Sequence, residues 1–173
     1  MSQTPVDPPA TAADRLNAAL VLLTGCIGSS FDDICTYGLI SGDTYVPFDP
    51  DPEDDGENCD EYGCGQVWVR IEQISAITPD SWDKNCSVSF RIEIEVGIIR
   101  CFEVPEGGEA PTASAMLGYA MQSNEDMNRI FCSAMSCDEV DDEFDSIVAG
   151  SWLPLGPIGG QYGGTWSFTL ETA

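Results

Sequence analysis

Every second position from 88 to 98 is apolar: Val88, Phe90, Ile92, Ile94, Val96 and Ile98 alternate with Ser89, Arg91, Glu93, Glu95 and Gly97. A period of two over that length predicts a strand with one buried and one polar face, in an antiparallel sheet that carries helices on one side. The stretch QVWVRIEQI repeats the pattern, with Val67, Val69 and Ile71 against Trp68, Arg70 and Glu72. Between the two runs, TPDSWDKN is a Pro/Asp-rich reversal longer than a minimal hairpin turn. Near the C-terminus, SIVAGSWLPLG and TWSFTL predict two more strands, the second with Trp166, Phe168 and Leu170 in register.

Two segments have helical spacing instead. Thr11 or Asp14 caps a helix through RLNAALVLLTG, with Leu16, Leu20 and Leu23 on one face and Gly25 or Gly28 at its end. A second helix of roughly 25 residues begins near Pro111 to Ser114. Met116, Tyr119, Ala120, Met127, Ile130, Phe131 and Ala134 form its apolar face, and Gln122, Asn124, Glu125, Asp126 and Asn128 point away. Gly118 and Ser123-Asn124 weaken its middle. The predicted order is helix, two strands, helix, two strands, which defines an α+β domain over residues 11–173 with a mainly antiparallel sheet of about four strands. Residues 1–10, MSQTPVDPPA, read as a loose arm, and 41–61 as a long acidic loop.

Charge narrows the function. Thirty Asp and Glu against six Lys and Arg give a net of -24. Such a surface repels phosphate backbones, argues against a nucleic-acid grip, and would keep DNA from adhering to a passage wall. With no histidine and a single lysine, the common general bases, nucleophile triads and His-containing metal sites are missing. A non-enzymatic protein without cofactor or metal is the expectation; an enzyme built on carboxylates and a metal is the contrary reading, with no spacing that singles out a pair.

The glycine-rich stretch PIGGQYGGTW holds Gly159, Gly160, Gly163 and Gly164. A phosphate cradle requires a helix after the glycines, whereas these lead into a strand. They read as a pliable reversal between the last two strands. In the acidic loop, Asp51, Glu53 and Asp55 before Gly56 echo the start of a calcium loop, but the twelfth position is Tyr62 where a bidentate Glu is required. Arg70, Arg91 and Arg100, set among acids, are candidates for cross-strand pairs.

Eight cysteines include two C-x4-C pairs, Cys59/Cys64 and Cys132/Cys137. Buried free thiols are the starting assumption; a four-cysteine zinc site and disulfides formed in oxidising surroundings are the alternatives. In an unbroken helix Cys132 and Cys137 would point about 140° apart. The apolar run AALVLL is too short to span a bilayer. Leu23-Thr24-Gly25-Cys26 has the form of a lipoprotein cleavage box, yet Asp7 and Asp14 accompany the single Arg15 before it, where an export signal carries net positive charge.

Several segments together resemble a known family. GCGQVWVRIEQI (63–74), EIEVGIIRCFEVPEGGEAPT (93–112), EDMNRIFCSA (125–134) and WLPLGPIGGQYGGTWSFTL (152–170) look like those of tail terminator, or head-to-tail connector, proteins of long-tailed phages that infect actinobacteria. Relatives with this pattern often carry Cys where this chain has Gln161. The resemblance implies a virion neck protein, assembled in the host cytoplasm. Its subunits would form a ring, typically a hexamer, that caps the tail tube and meets the head connector or stopper, with DNA passing through unbound and no membrane involved. Another neck component, such as a head-completion or stopper protein, is the nearest alternative; an exported, disulfide-containing lipoprotein is the alternative of a different class. The expected interface is Trp152, Pro154, Gly156, Gly159, Gly160, Tyr162 and Trp166, because aromatic side chains anchor interfaces. The competing reading places Trp152 and Trp166 in the core.

Overall fold

The computed structural model describes residues 12–34, 36–41, 65–77, 89–102, 110–141, 144–158 and 160–172. The loose arm, the acidic loop beyond residue 41 with its calcium-like run, Cys59, Cys64 and Gly159 lie outside them. The architecture is α+β. Helix α1 (Ala12–Gly28) precedes strands β1 (Thr36–Ser41), β2 (Gln66–Ile77) and β3 (Ser89–Cys101). Helix α2 (Ala113–Met135) and the single turn α3 (Asp138–Asp141) come next, before β4 (Ser146–Ile158) and β5 (Gln161–Glu171). The five strands form one sheet in the order β1-β2-β3-β5-β4, antiparallel except for β1 beside β2.

The fifth strand is β1, TYGLIS, a short run without clear alternation. It pairs parallel to β2, so the chain between them must return to the starting end of the sheet. The alternating strand behaves as its sequence predicts: Ile92, Ile94, Val96 and Ile98 are essentially inaccessible, and Arg91 and Glu93 are exposed on the other face. Two of the three candidate arginines make cross-strand pairs with their register partners, Arg70 with Glu95 at 3.1 Å and Arg91 with Glu171 at 2.7 Å.

Both long helices cover the face of the sheet that bears Ile92 to Ile98, α1 over β1 and β2, α2 over β5 and β4. The buried stripe of α1 is Leu16, Ala19, Leu20, Leu23 and Ile27, which recur at three- and four-residue intervals. The helix stops at Gly28, against whose Cα the Tyr37 ring packs so closely that a Cβ would collide with it. Thr112 caps α2 by accepting a hydrogen bond from the Ala115 amide at 3.2 Å. This helix runs unbroken through Gly118 and Ser123-Asn124.

The inward face of α2 differs from the predicted one. Its buried positions are Ser123, Asp126, Ile130 and Ala134, while Met116, Ala120 and Phe131 are exposed. Asp126 has no accessible surface. Polarity alone assigned Asp126 outward, but its partner resides on the sheet, as does that of Ser123: Asp126 accepts from Arg100, and the Ser123 hydroxyl donates to the Gly163 carbonyl at 3.1 Å.

The cysteines also depart from the starting assumption of free thiols. Cys26, near the end of α1, is disulfide-bonded to Cys137, just past α2, across 111 residues of sequence. Cys101 is disulfide-bonded as well. The helix ends between Cys132 and Cys137, and Cys132 is a free, exposed thiol. Among the described residues no cluster of His, Cys, Asp and Glu is arranged to hold a metal, and no helix is long and apolar enough to cross a membrane. Residues 12–25 supply Leu16, Ala19, Leu20 and Leu23 to the core, and Cys26 already has a sulfur partner.

Candidate functional site

Strands β4 and β5 are longer than their sequence suggested. Ile158 pairs with Gln161, so the chain reverses between them, with Gly160 at φ 86. Glycine suits that left-handed position. Gly163 and Gly164 are not in the turn at all; they sit inside β5, fully paired on both sides. A Cβ on Gly163 would run into the Ile98 carbonyl, and one on Gly164 into the Trp152 indole. Their role is close approach instead of pliability. Gly164→Ala is therefore expected to destabilise the fold by about 1–3 kcal/mol, read from the chemical denaturation midpoint.

Gly164 leaves room for Trp152 on the helix-facing side of the sheet, where the Trp152 and Trp166 rings lie 6.1 Å apart. Trp166 donates its indole N–H to the Met127 carbonyl at 2.9 Å and touches Phe131 and Phe168. Both indoles are half-buried against the core. Trp68 does the same on the opposite face, lying over Gly97 and donating to Glu95 at 3.3 Å.

Beyond the tryptophans, toward the β4–β5 turn, the hairpin and the first half of α2 diverge and leave a groove of about 240 Å³. One wall is Met116, Tyr119, Ala120 and Ser123; the other is residues 154–157 with Tyr162. The Tyr119 ring lies 4.9 Å from Tyr162 and 5.2 Å from Phe102, giving the groove an aromatic end. Among the described residues no charged side chain lines it. Exposed Leu117, Met121 and Leu153 extend the same uncharged surface beyond the groove.

Arg100 holds the walls in place. It emerges from the last turn of the β3 ladder beside Tyr162, and its guanidinium grips Asp126 on α2 through Nε and Nη2 at 2.7 and 2.9 Å. On its other edge it donates to both oxygens of Asp33, after α1, at 2.8 and 3.3 Å. Gln122 donates to Asp126, and Arg129 stacks on Phe31 at 5.1 Å, within reach of Asp33. One side chain thus ties sheet, α1 and α2 together. Burial acts to lower the Arg100 pKa, but the hydrogen bonds and charges of Asp126 and Asp33 outweigh it and raise it above the ordinary guanidinium value. For Asp33 burial acts upward, and the Arg100 hydrogen bond and the charges of Arg100 and Arg129 bring the net shift below the usual carboxylate value. Burial pushes the Tyr162 phenol up, with Arg100 opposing.

Of the expected interface residues, Pro154 and Gly156 are exposed and Tyr162 half-exposed along the groove; Trp152 and Trp166 are packed at the margin of the core. Gly160 is in the turn and Gly159 outside the described residues. Leu117, Met121, Leu153 and Leu155 were not singled out by sequence, and Met116 was assigned to the inward face of α2. For the residues on α2 the signal was present: the first turns of the helix are apolar nearly all round, wider than one buried stripe requires.

The arrangement is that of an α+β domain with a groove at one sheet edge whose described lining residues carry no charge. Neither the family models nor the curated proteins compared with this chain give a match.

Proposed function

We propose that this chain is a phage tail terminator: a non-enzymatic virion protein whose copies form a ring, a hexamer by the family pattern, between tail tube and head connector. The reading rests on the resemblance of residues 63–74, 93–112, 125–134 and 152–170, and one structural observation supports it. A chain of net charge -24 meets itself at a cost wherever like charges face each other, so self-contact belongs on uncharged surface. That surface lies at the β4 edge, where Leu153, Leu155, Leu117 and Met121 are exposed.

A ring is built head to tail, from two different patches. A second, dissimilar set of exposed apolar side chains, Val21, Leu22 and Tyr37, lies on α1 and β1 toward the other edge. The acidic balance suits a passage through which DNA slides without binding. In the virion the partners would be the tail tube protein and the head connector or stopper.

Negative-stain imaging and mass photometry of the purified full chain test the reading. A ring with a central hole is expected; a monomer at all accessible concentrations overturns it. Leu153→Asp and Leu155→Asp are each expected to weaken assembly at least about tenfold, equivalent to ~1.4 kcal/mol. Because both side chains are exposed, the denaturation midpoint of the monomer should stay within about 0.5 kcal/mol of the parent.

A further inference from the structure

The two sulfurs of the Cys26–Cys137 bond differ in their surroundings, and we propose that Cys26 is an S-thiolation site: a small-molecule disulfide adds to it in the already folded chain, and Cys137 then resolves the adduct into the native bond. The inference is independent of the ring reading. Cys137 is 4% accessible and belongs to the core cluster with Ala134, Val140 and Phe144. Cys26 is only partly buried, packed at the margin of that cluster. Thiol–disulfide exchange depends on access to the sulfur, so the outer cysteine reacts first. A mixed disulfide on Cys137 would also need room for a second group, which a close-packed interior does not provide.

The chemistry needs one oxidant, a disulfide RSSR such as glutathione disulfide. The Cys26 thiolate attacks one sulfur of RSSR, a Cys26–SR bond forms, and the first RS⁻ leaves. The Cys137 thiolate then attacks the Cys26 Sγ, the Cys26–SR bond breaks, and the second RS⁻ leaves. The protons of the two protein thiols end on the two RSH, and the two electrons lost by Cys26 and Cys137 reduce RSSR.

The fold holds both thiols in place without the bond. Arg100 joins Asp33, just after α1, to Asp126 on α2, and Arg129 on α2 stacks on Phe31 at 5.1 Å and reaches Asp33 at 3.5 Å. Leu16, Ala19, Leu20, Leu23 and Ile27 bury the inner face of α1 in the same core as Ile130 and Ala134 of α2. These contacts keep α1 and α2 together whatever the state of the sulfurs. The Cα atoms of Cys26 and Cys137 lie 6.0 Å apart, a separation that a disulfide spans without backbone movement. Cys132 provides the contrast: it is an exposed free thiol, so it takes the same adduct and has no resolving cysteine among the described residues.

The test starts from the reduced full chain at neutral pH, with glutathione disulfide as the probe, acid quenching, and peptide mapping by mass spectrometry. The reduced parent should keep a native circular dichroism spectrum, pass through a glutathione adduct at Cys26, and end with Cys26 bonded to Cys137. In Cys137→Ala the Cys26 adduct should accumulate and persist, as the adduct at Cys132 does. In Cys26→Ala, Cys137 should react at least about tenfold more slowly than Cys132, because a core residue reacts only through local opening; denaturant should remove the difference. The parent time course needs no substitution and decides the matter if either variant fails to fold. An adduct at Cys137 that precedes the one at Cys26, a folded Cys137→Ala without a Cys26 adduct, or a reduced parent without native circular dichroism overturns the proposal.

Discussion

Replacing Arg100 with methionine is expected to destabilise the protein by about 3–5 kcal/mol. The substitution leaves Asp126 with no accessible surface and, of its side-chain donors, only the Gln122 amide at 3.3 Å. A carboxylate stripped of its counter-ion in that position must be paid for by desolvation or protonation. The second change that tests this account is Asp126→Leu on top of Arg100→Met. An apolar pair of similar volume should recover much of the loss, because the cost lies in the orphaned charge and not in the absence of attraction. Guanidinium denaturation of the parent, the single and the double variant forms the measurement. A single variant that melts with the parent would show that the ion pair contributes nothing net.

The same network gives the stability a definite acid limb. Asp33 has a folded pKa below its ordinary value, so its contribution is fully present above the unfolded value near 3.8 and is lost as pH falls through the folded one. The side chain is 54% accessible, so solvent screens this contribution and it remains small. Asp33→Asn should flatten that part of the pH profile without altering stability at pH 7 by more than a fraction of the Arg100→Met effect.

Loss of the Cys26–Cys137 disulfide is the other large effect. It closes a loop of 111 residues, for which chain-entropy reasoning gives stabilisation of about 4.7 kcal/mol and native disulfides commonly show 2–5 kcal/mol. Cys26→Ala/Cys137→Ala should lower the denaturation midpoint accordingly. The double variant is preferred to reductant because Cys101 is also bonded. Thiol titration of the unfolded, unreduced parent should find at most four of the eight cysteines reactive, Cys132 among them. All eight reacting would remove the staple. Disulfides persist in oxidising surroundings, which a virion neck, the location proposed for this chain, meets once it has left the host.

The regular elements were legible wherever a single physical rule dominated. The alternation from 88 to 98 predicted β3 because burial of one sheet face imposes a period of two. Leu16, Leu20 and Leu23 predicted the inward face of α1 for the same reason at 3.6 residues per turn. β1 was missed because a short parallel strand has its partner 30 positions away and no local pattern marks that pairing. The candidate site was legible as a segment but not as a surface. Composition drew attention to the glycines and tryptophans of 152–166, and the groove proved to be formed with Met116 and Tyr119 from another element.

The amino-acid sequence by itself determined the α+β class, the helix facing of α1, the one-sided alternation of β3 and the strongly acidic surface, since each follows from the local spacing of apolar side chains or a count of charges. Only the tertiary structure decided the rest. Asp126 turned inward because Arg100, 26 positions away, meets it there; Cys137 found Cys26 because α2 stops at Met135, with Ser136 as its C-cap, and leaves Cys137 outside the helix. Gly163 and Gly164 serve the packing of β5 against Ile98 and Trp152, not the turn. In each case the deciding partner lies far along the chain, and the energy of burying a charge, a sulfur or an indole depends on what the fold brings opposite it.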